Sequence, residues 1–261
     1  MAGGGEEAED GPRLLLGYWA IRGLGQPIRL LLEHVGLPYA EKRYHIQLAE
    51  AATAEAPAKW DRSEWYSEKH DLSLAFPNLP YLLDRETGLK LTQTNAILFY
   101  VADLAGGATL GKSIEERATV HMLLNFSQDV RARSMPVPCR EGPRTDATKV
   151  RSAYTRACYN PKFSELVKPL VEEWLPERLG WLSAFAAKSE GNFLLGPEPM
   201  LPDVVFFDLL DQLSRLPGGG ALLGPELEAL VKAMAGLFAE YLKDEETIDT
   251  PFNNLSATWI G

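Results

Sequence analysis

The sequence predicts two parts of different class, an α/β part over about the first hundred residues and an all-helical part after it. Three observations support this division. Short apolar runs bounded by turn residues alternate with helical periodicity up to about residue 102. From about Ser113 onward the alternation typical of strands disappears. Long helical repeats then follow, as expected for helices that pack on one another.

The first predicted element is a buried strand that leads into a helix. Leu14 to Leu16 form an apolar run that Gly17 is expected to end, as in a strand covered on both faces. Pro27 suits the first turn of the helix that follows. Tyr18 is therefore expected at the carboxyl end of a strand, where α/β folds place their chemistry. The alternative for Tyr18 is a half-buried aromatic whose hydroxyl bonds to a backbone carbonyl.

The remaining segments of the α/β part complete an order of strands and helices that is typical of one known domain type. Thr92 or Thr94 can cap the last helix. The order β-α-β-α-β-β-α is that of a thioredoxin-like domain with a mixed four-stranded sheet. The segments are a strand over 39–46, an alanine-rich surface excursion over 48–59, a short polar helix over 60–70 and a hairpin of 79–83 with 89–91.

The helical part is expected to contain an amphipathic helix over about 163–174 and one central helix. Pro169 is expected to bend the amphipathic helix. The segment from Val204 to Leu213 is apolar nearly all round, apart from Asp208, Asp211 and Gln212, which predicts the central helix of the domain. The amphipathic face consists of Phe163, Leu166, Val167, Leu170, Val171 and Trp174.

Composition and charge limit the class of protein. The chain has 261 residues, of which 46% are hydrophobic and 24% charged, as expected of a globular protein with a substantial core. Its net charge is −10, and the acidic, glycine-rich residues 1–12 are expected to be a disordered tail. The acidic balance disfavours binding to nucleic acid or an anionic membrane. No run approaches the roughly 18 apolar residues of a membrane span, so a cytoplasmic location is expected.

The cysteines and histidines predict no metal site and no disulfide. Cys139 and Cys158 form no C-x-x-C pair, so two free thiols are expected. The four histidines are scattered at intervals that suggest no shared metal.

Six segments together resemble one family. A thioredoxin-like domain that lacks its cysteine pair, carries Tyr18 at the first strand end and precedes a helical domain resembles the cytosolic glutathione transferases. The six segments are similar to those of the mu class, in the same order, over residues 14 to 260. They are GYWAIRG (17–23), WDRSEW (60–65), FPNLPYL (76–82), LTQTNAIL (91–98), CYNP (158–161) and PFNNLSATW (251–259).

The resemblance implies conjugation of the glutathione thiolate to hydrophobic electrophiles, with glutathione as co-substrate and no permanently bound cofactor. A free thiol of this kind has a pKa near ~8.5, so most of it is unreactive at neutral pH. A phenol that donates a hydrogen bond to the sulfur favours the thiolate, and each unit of lowering in the thiol pKa takes about 1.4 kcal/mol. The resemblance implies that Tyr18 is this catalytic donor.

The resemblance also implies a glutathione site and an acceptor site. In the family's arrangement, Arg62, Trp65 and Lys69 would hold the glycine carboxylate, and Asn78, Leu79 and a cis Pro80 would contact the cysteinyl part. Gln93 and Thr94 would bind the γ-glutamyl carboxylate. Asp129 of a neighbouring subunit would bind the amino group. Trp19 and Leu24 line the glutathione site, and with Ile21 and Tyr159 they line the acceptor pocket. Phe76 plugs into the partner of a homodimer.

Several of these residues have a simpler alternative when read without the family. The run that contains Arg62 and Lys69 would be a solvated helix face, and Pro80 an ordinary trans proline. Thr94 would be a plain helix cap, and Phe76 would pack on its own domain.

The domain boundaries expected from the resemblance are a tail over 1–12, a thioredoxin-like glutathione-binding domain over 13–102 and an all-helical domain with the acceptor pocket over 103–261. The stretch between Asp129 and Tyr159 is longer than the family usually has, and so is the segment 48–59. Met200 stands where the family usually has Ser or Thr, so the usual capping box with Asp203 cannot form, at a cost of about 1 kcal/mol.

Two other functions remain open from the sequence. One is a non-catalytic protein that binds glutathione or hydrophobic ligands. The other is a glutathione-dependent isomerase or peroxidase, which the same thiolate could support.

Overall fold

The structure is a computed structural model that describes residues 11–50, 59–132 and 163–243. The acidic tail up to residue 10, Cys139, Cys158, Tyr159 and the segment 251–259 lie outside the described residues. The strands are β1 (Leu14–Trp19), β2 (Tyr39–Tyr44), β3 (Gln47–Glu50), β4 (Lys59–Asp61), β5 (Tyr81–Asp84) and β6 (Lys90–Thr92). The helices are α1 (Gln26–Val35), α2 (Ser63–Glu68), α3 (Thr94–Leu104), α4 (Ile114–Ala132), α5 (Phe163–Pro169), α6 (Leu175–Ala186), α7 (Leu201–Ser214) and α8 (Pro225–Leu237).

The predicted fold class is confirmed. Four strands form a mixed sheet in the order β2-β1-β5-β6, in which β1 runs parallel to β2 and antiparallel to β5. Helix α1 packs against α3 and also against α7, which belongs to the helical part. One apolar core therefore runs through both parts, and its buried members include Leu14, Ile28, Ile97, Phe206 and Leu230.

The apolar run stops at Gly17 but strand β1 continues to Trp19, so Tyr18 and Trp19 lie at the carboxyl end of the strand, as predicted. Gly17 pairs with Lys42 on one side and Tyr81 on the other. A Cβ atom on Gly17 would overlap the Tyr81 ring. The glycine therefore admits a neighbouring aromatic ring, and Tyr18 lies within the strand as its penultimate residue.

The segment expected to be a surface excursion is bordered by a two-stranded ribbon. Strands β3 and β4 pair antiparallel, with Leu48 opposite Trp60. Trp60 is therefore in a strand, and the predicted helix over 60–70 is restricted to α2. The Asp61 carboxylate accepts the Ser63 N–H at 2.8 Å, which satisfies one of the first backbone donors of α2. The hydrogen bonds to this carboxylate lower the pKa of Asp61.

Helix α3 begins without a threonine cap, contrary to prediction. Thr94 is its first residue, and Gln93 occupies the N-cap position with φ +76° and no side-chain capping bond. A non-glycine residue rarely adopts this left-handed region.

The helix that carries the amphipathic face changes to a wider helical turn after Pro169. Residues Leu170–Trp174 form a π-helical segment between α5 and α6. Proline has no N–H to donate to the preceding turn, and the π-helical segment begins directly after it. The residues of the face that lie in the core are Phe163, Val167, Leu170, Val171 and Trp174.

Helix α7 is buried nearly all round, as predicted for the central helix. At its start the Asp203 carboxylate accepts the N–H groups of Met200 at 2.8 Å and Leu194 at 2.7 Å. The Asp203 N–H donates to the Met200 carbonyl oxygen at 2.9 Å, in the place of a side-chain hydroxyl. The carboxylate half of the capping box is therefore present despite Met200. Burial raises the pKa of Asp203 to about 6 against the effect of these hydrogen bonds.

Candidate functional site

Tyr18, the penultimate residue of β1, is enclosed by the tight turn that follows the strand. Its side chain is 5% exposed, and its phenol oxygen accepts the Leu24 N–H at 2.9 Å. A Cβ atom on Gly23 would lie 2.7 Å from this oxygen, and one on Gly25 would lie 2.5 Å from the ring. Glycines at these two positions let the turn wrap closely around the phenol. The hydroxyl therefore accepts from a backbone N–H, and a phenol that accepts one hydrogen bond becomes a stronger donor in another.

An apolar cluster surrounds Tyr18 and contains several predicted site residues. Trp65 stacks on Tyr81, with ring centroids 6.1 Å apart, and meets Tyr44 edge to face at 5.3 Å. These aromatic contacts join α2 to the sheet. The buried members of the cluster are Tyr18, Ile21, Tyr44, Trp65, Leu74, Leu79 and Tyr81, and Trp19 packs against it.

A polar network fixes the end of α2 on the sheet. The Glu68 carboxylate accepts hydrogen bonds from the Tyr44 hydroxyl and from Lys42 Nζ, the latter at 2.5 Å. The hydroxyls of Tyr44 and Tyr81 lie 3.0 Å apart. Although burial opposes it, hydrogen bonds from Lys42 and Tyr44 hold the pKa of Glu68 below its usual range. Sequence reasoning missed this network, and two tyrosines at strand positions were its only signal.

Helix α2 and the residues beside it bring the three predicted carboxylate-binding residues together. Arg62 immediately precedes the helix, Trp65 lies within it and Lys69 follows it. Trp65 is buried, so this is not a fully solvated helix face. Arg62 Nε is buried, and within the described residues it has no hydrogen-bond partner. Lys69 Nζ lies 4.7 Å from the centroid of the Tyr66 ring.

The segment before β5 has the conformation that the resemblance implies. The Leu79–Pro80 peptide bond is cis. Leu79 is 7% exposed and belongs to the Tyr18 cluster, whereas Asn78 is exposed.

The start of α3 combines a helix amino terminus with an unusual backbone. Gln93 is exposed and has φ +76°, and Thr94 is partly buried. Non-glycine residues in this region cost about 1–3 kcal/mol and concentrate at functional sites. The backbone N–H groups of a helix amino terminus favour an anion.

The other predicted residues are more dispersed. Asp129 is exposed on α4, and the neighbouring Gln128 donates to Asn95 of α3 at 3.1 Å. Phe76 is 72% exposed and Leu24 is 40% exposed. Tyr159 lies outside the described residues.

A buried ion cluster connects the Tyr18 turn to the helical part. Arg22, in this turn, bonds to Asp208 at 3.2 Å and to Asp211 at 2.9 Å, both on α7. Arg131 of α4 bonds to the other Asp208 oxygen at 2.7 Å. The sequence showed Asp208 and Asp211 only as interruptions in an apolar helix. Aspartates three residues apart in such a helix were the available signal of a buried ion pair.

Two classes of feature are absent from the described ranges. Among residues 11–50, 59–132 and 163–243, no three or more His, Cys, Asp or Glu side chains are grouped so that they could hold a metal ion. In the same part of the chain, no helix has the length and apolar character needed to cross a bilayer.

Comparisons with known proteins identify relatives over nearly the whole chain. Models of the amino-terminal and carboxy-terminal domains of glutathione S-transferase match residues 15–103 and 148–245. Glutathione S-transferase Mu 1 of Oryctolagus cuniculus is 35% identical over 250 residues, which cover 95% of this chain and 99% of the relative. Glutathione S-transferase Mu 1 of Homo sapiens is 34% identical and covers 94% and 98%.

Solved structures share the fold. The glutathione S-transferase Blo t 8 superposes with a TM-score of 0.74 at 24% identity, and the match covers 95% of this chain and 100% of that one. A Pi-class glutathione S-transferase of Onchocerca volvulus superposes with a TM-score of 0.70 at 21% identity, covering 94% and 100%.

Proposed function

Because this chain belongs to the glutathione S-transferase family, we propose that it conjugates the glutathione thiolate to hydrophobic electrophiles, with Tyr18 as the catalytic residue. As a member of this family the chain is an enzyme of the transferase type, and glutathione is its co-substrate. The observation that carries the assignment of Tyr18 is its buried hydroxyl, which accepts the Leu24 N–H at 2.9 Å.

The chemistry of Tyr18 follows from its hydrogen bonds. The phenol remains protonated at neutral pH and donates its O–H to the glutathione sulfur. This bond is stronger when the sulfur is anionic, so it lowers the pKa of the thiol, whose proton passes to solvent. The thiolate electron pair then forms the bond to the electrophilic carbon. In a substitution the leaving group departs with its bonding electrons, and in an addition solvent supplies a proton to the acceptor.

Glutathione is held by residues on both sides of Tyr18. Arg62, Trp65 and Lys69 take the glycine carboxylate, and the buried Arg62 Nε supports an anionic ligand there. In the same proposal Asn78, Leu79 and Pro80 contact the cysteinyl part. Gln93 and Thr94 take the γ-glutamyl carboxylate at the start of α3, and Asp129 of a neighbouring subunit takes the amino group.

The acceptor pocket lies beside the sulfur. Trp19, Ile21, Leu24 and Tyr159 line it in this proposal. Leu24, whose backbone N–H donates to the Tyr18 hydroxyl, is 40% exposed, which supports an open apolar surface near this point.

The test is an ultraviolet difference spectrum of the purified protein with glutathione across pH, followed by acceptor screening. We expect thiolate absorption to appear near pH 6 to 7, well below the ~8.5 of a free thiol. Tight binding with an ordinary thiol pKa would contradict the transferase proposal and indicate a binding protein. A lowered pKa with isomerase or peroxidase activity alone would contradict the conjugation step.

The same proposal includes a cytoplasmic homodimer in which Phe76 contacts the partner. Phe76→Ser should weaken the dimer by about 30-fold or more, because an aromatic anchor at an interface contributes about 2 kcal/mol or more. Phe76 is 72% exposed within one chain, so the substitution should leave the fold intact. Sedimentation equilibrium at micromolar concentration measures the dissociation constant.

The matched control is Ile114→Ser, which changes an 83% exposed apolar side chain in the helical part. We expect that control to remain dimeric. A wild-type monomer, or equal dissociation constants for wild type and Phe76→Ser, would contradict this role of Phe76.

A further inference from the structure

Arg29 is a fully buried cation next to Tyr18. Its side chain on α1 is 1% exposed. Its Nε and Nη2 donate to the same Glu41 oxygen at 2.8 and 2.6 Å, and Nη1 donates to Gln26 Oε1 at 3.2 Å. Burial of a charged group is costly unless it is paired and hydrogen-bonded, and the Glu41 carboxylate of β2 supplies the opposite charge. The Arg29 guanidinium is therefore buried in the α/β part together with the carboxylate that pairs with it.

Arg29 acts on Tyr18 through two separate contacts. Its guanidinium carbon lies 5.9 Å from the centroid of the Tyr18 ring, within the range of a cation–π interaction. Its Nη1 also donates to the Ile21 carbonyl oxygen at 3.0 Å. Ile21 belongs to the turn whose Leu24 N–H donates to the Tyr18 hydroxyl at 2.9 Å. One side chain therefore contacts both the ring and the turn that orients the hydroxyl.

We propose that Arg29 is a positioning residue for Tyr18, holding the phenol ring and the Ile21–Leu24 turn in the geometry that stabilises the glutathione thiolate. This inference rests on the function proposed for Tyr18. A cation beside a phenol stabilises negative charge on the phenol oxygen, so the O–H becomes a stronger hydrogen-bond donor.

The groups around Arg29 leave its charge in place across the working pH range. Burial opposes the charge of Arg29, but Glu41 raises the pKa of the guanidinium above its already high value. Burial also raises the pKa of Tyr39, so this phenol stays neutral. The other titratable groups that face this site are Glu41, Arg43, which bonds to Glu41 at 3.1 Å, and Tyr241, which hydrogen-bonds with Gln26. A pH-dependent change in activity near pH 7 therefore reports the thiol and not Arg29.

The test compares Arg29→Met and Arg29→Lys with wild type. At saturating glutathione, we expect Arg29→Met to raise the thiol pKa of the bound tripeptide by about one unit. With a wild-type thiol pKa of about 6 to 7, a one-unit rise should lower the thiolate fraction, and with it the kcat/KM at pH 6.5, by about three- to eightfold. Most of this loss should disappear above the new pKa. Arg29→Lys keeps a charge without the fork geometry, so we expect a smaller rise.

The matched control is Arg13→Met, which breaks another arginine–carboxylate pair of the same sheet. Arg13 bonds to Asp84 at 2.6 Å, near the opposite end of β1 from Tyr18. This control should lower stability without changing the thiol pKa. After the spectra of free glutathione and of the protein alone are subtracted, the remaining thiolate signal comes from bound glutathione. A loss of folded material then lowers the amplitude of this signal without moving its pH midpoint.

The outcomes separate the inference from the proposed function. An unchanged thiol pKa in Arg29→Met that still binds glutathione would overturn the role of Arg29. If that variant does not fold, an unchanged thiol pKa in Arg29→Lys overturns it instead. An equal rise in Arg13→Met would also overturn it. A wild-type protein without a lowered thiol pKa overturns the proposed function first, and the inference with it.

Discussion

Tyr18→Phe should reduce the rate of glutathione conjugation at pH 6.5 by about 100-fold, because removing one positioned hydrogen-bond donor typically costs about 10²–10³ in rate. The ring is kept, so its packing in the Tyr18 cluster and the affinity for glutathione should change little. The missing O–H should raise the pKa of the bound thiol by about two units, equivalent to about 2.7 kcal/mol. Initial rates with a hydrophobic electrophile, together with the thiolate difference spectrum, measure both effects.

The pH profile distinguishes this mechanism from general damage to the site. The rate of the Tyr18→Phe variant should recover most of its deficit at a pH above the raised thiol pKa. Tyr66→Phe is the control, because Tyr66 lies on α2 and its side chain is 55% exposed. An unchanged rate and thiol pKa in Tyr18→Phe would remove Tyr18 from its proposed role.

Asp208→Ala should destabilise the protein by about 3–5 kcal/mol, the usual effect of breaking a buried ion pair from one side. Asp208 is 1% exposed, whereas its partners Arg22 and Arg131 are 10% and 13% exposed. The substitution leaves these two guanidinium groups without their shared carboxylate in a region with little access to water. Chemical denaturation, with the free energy of unfolding extrapolated to water, measures the change.

Asp211→Ala is the matched control for the cluster. Asp211 also pairs with Arg22 and Arg215, but its side chain is 20% exposed. Water can therefore replace part of what the substitution removes, and we expect a loss of about 1 kcal/mol or less. Equal losses for the two variants would show that burial of Asp208 is not what makes its ion pairs important.

Much of the fold could be predicted because its signals are local in the chain. Each of these signals depends on residues within about fifteen positions of one another: the run before Tyr18, Pro27 in the first turn of α1, the hairpin and the apolar α7. The exceptions were set by neighbours from other elements. Trp60 was predicted to lie in a helix, but it pairs with Leu48 of β3 and so lies in a strand.

The candidate site was predictable to a lesser degree. The resemblance led to Tyr18, Trp65 and Leu79, and the structure places them in one cluster. It did not lead to Arg29, to the Tyr44–Glu68 contact or to the ion cluster at α7. Each of these depends on which side chain faces another after folding, and a single sequence contains no direct record of that.

The amino-acid sequence alone determined three features of this protein. They are the division into an α/β and a helical half, the strand end that carries Tyr18, and the resemblance to the glutathione transferase family. These features follow from periodicity, turn residues and motifs, all of which are read from contiguous residues. Folding in three dimensions was needed to bring Arg22 to Asp208 across 186 positions of the chain and to place Arg29 against the Tyr18 ring. The physical reason is that a buried charge is tolerated only where distant elements together supply its partners.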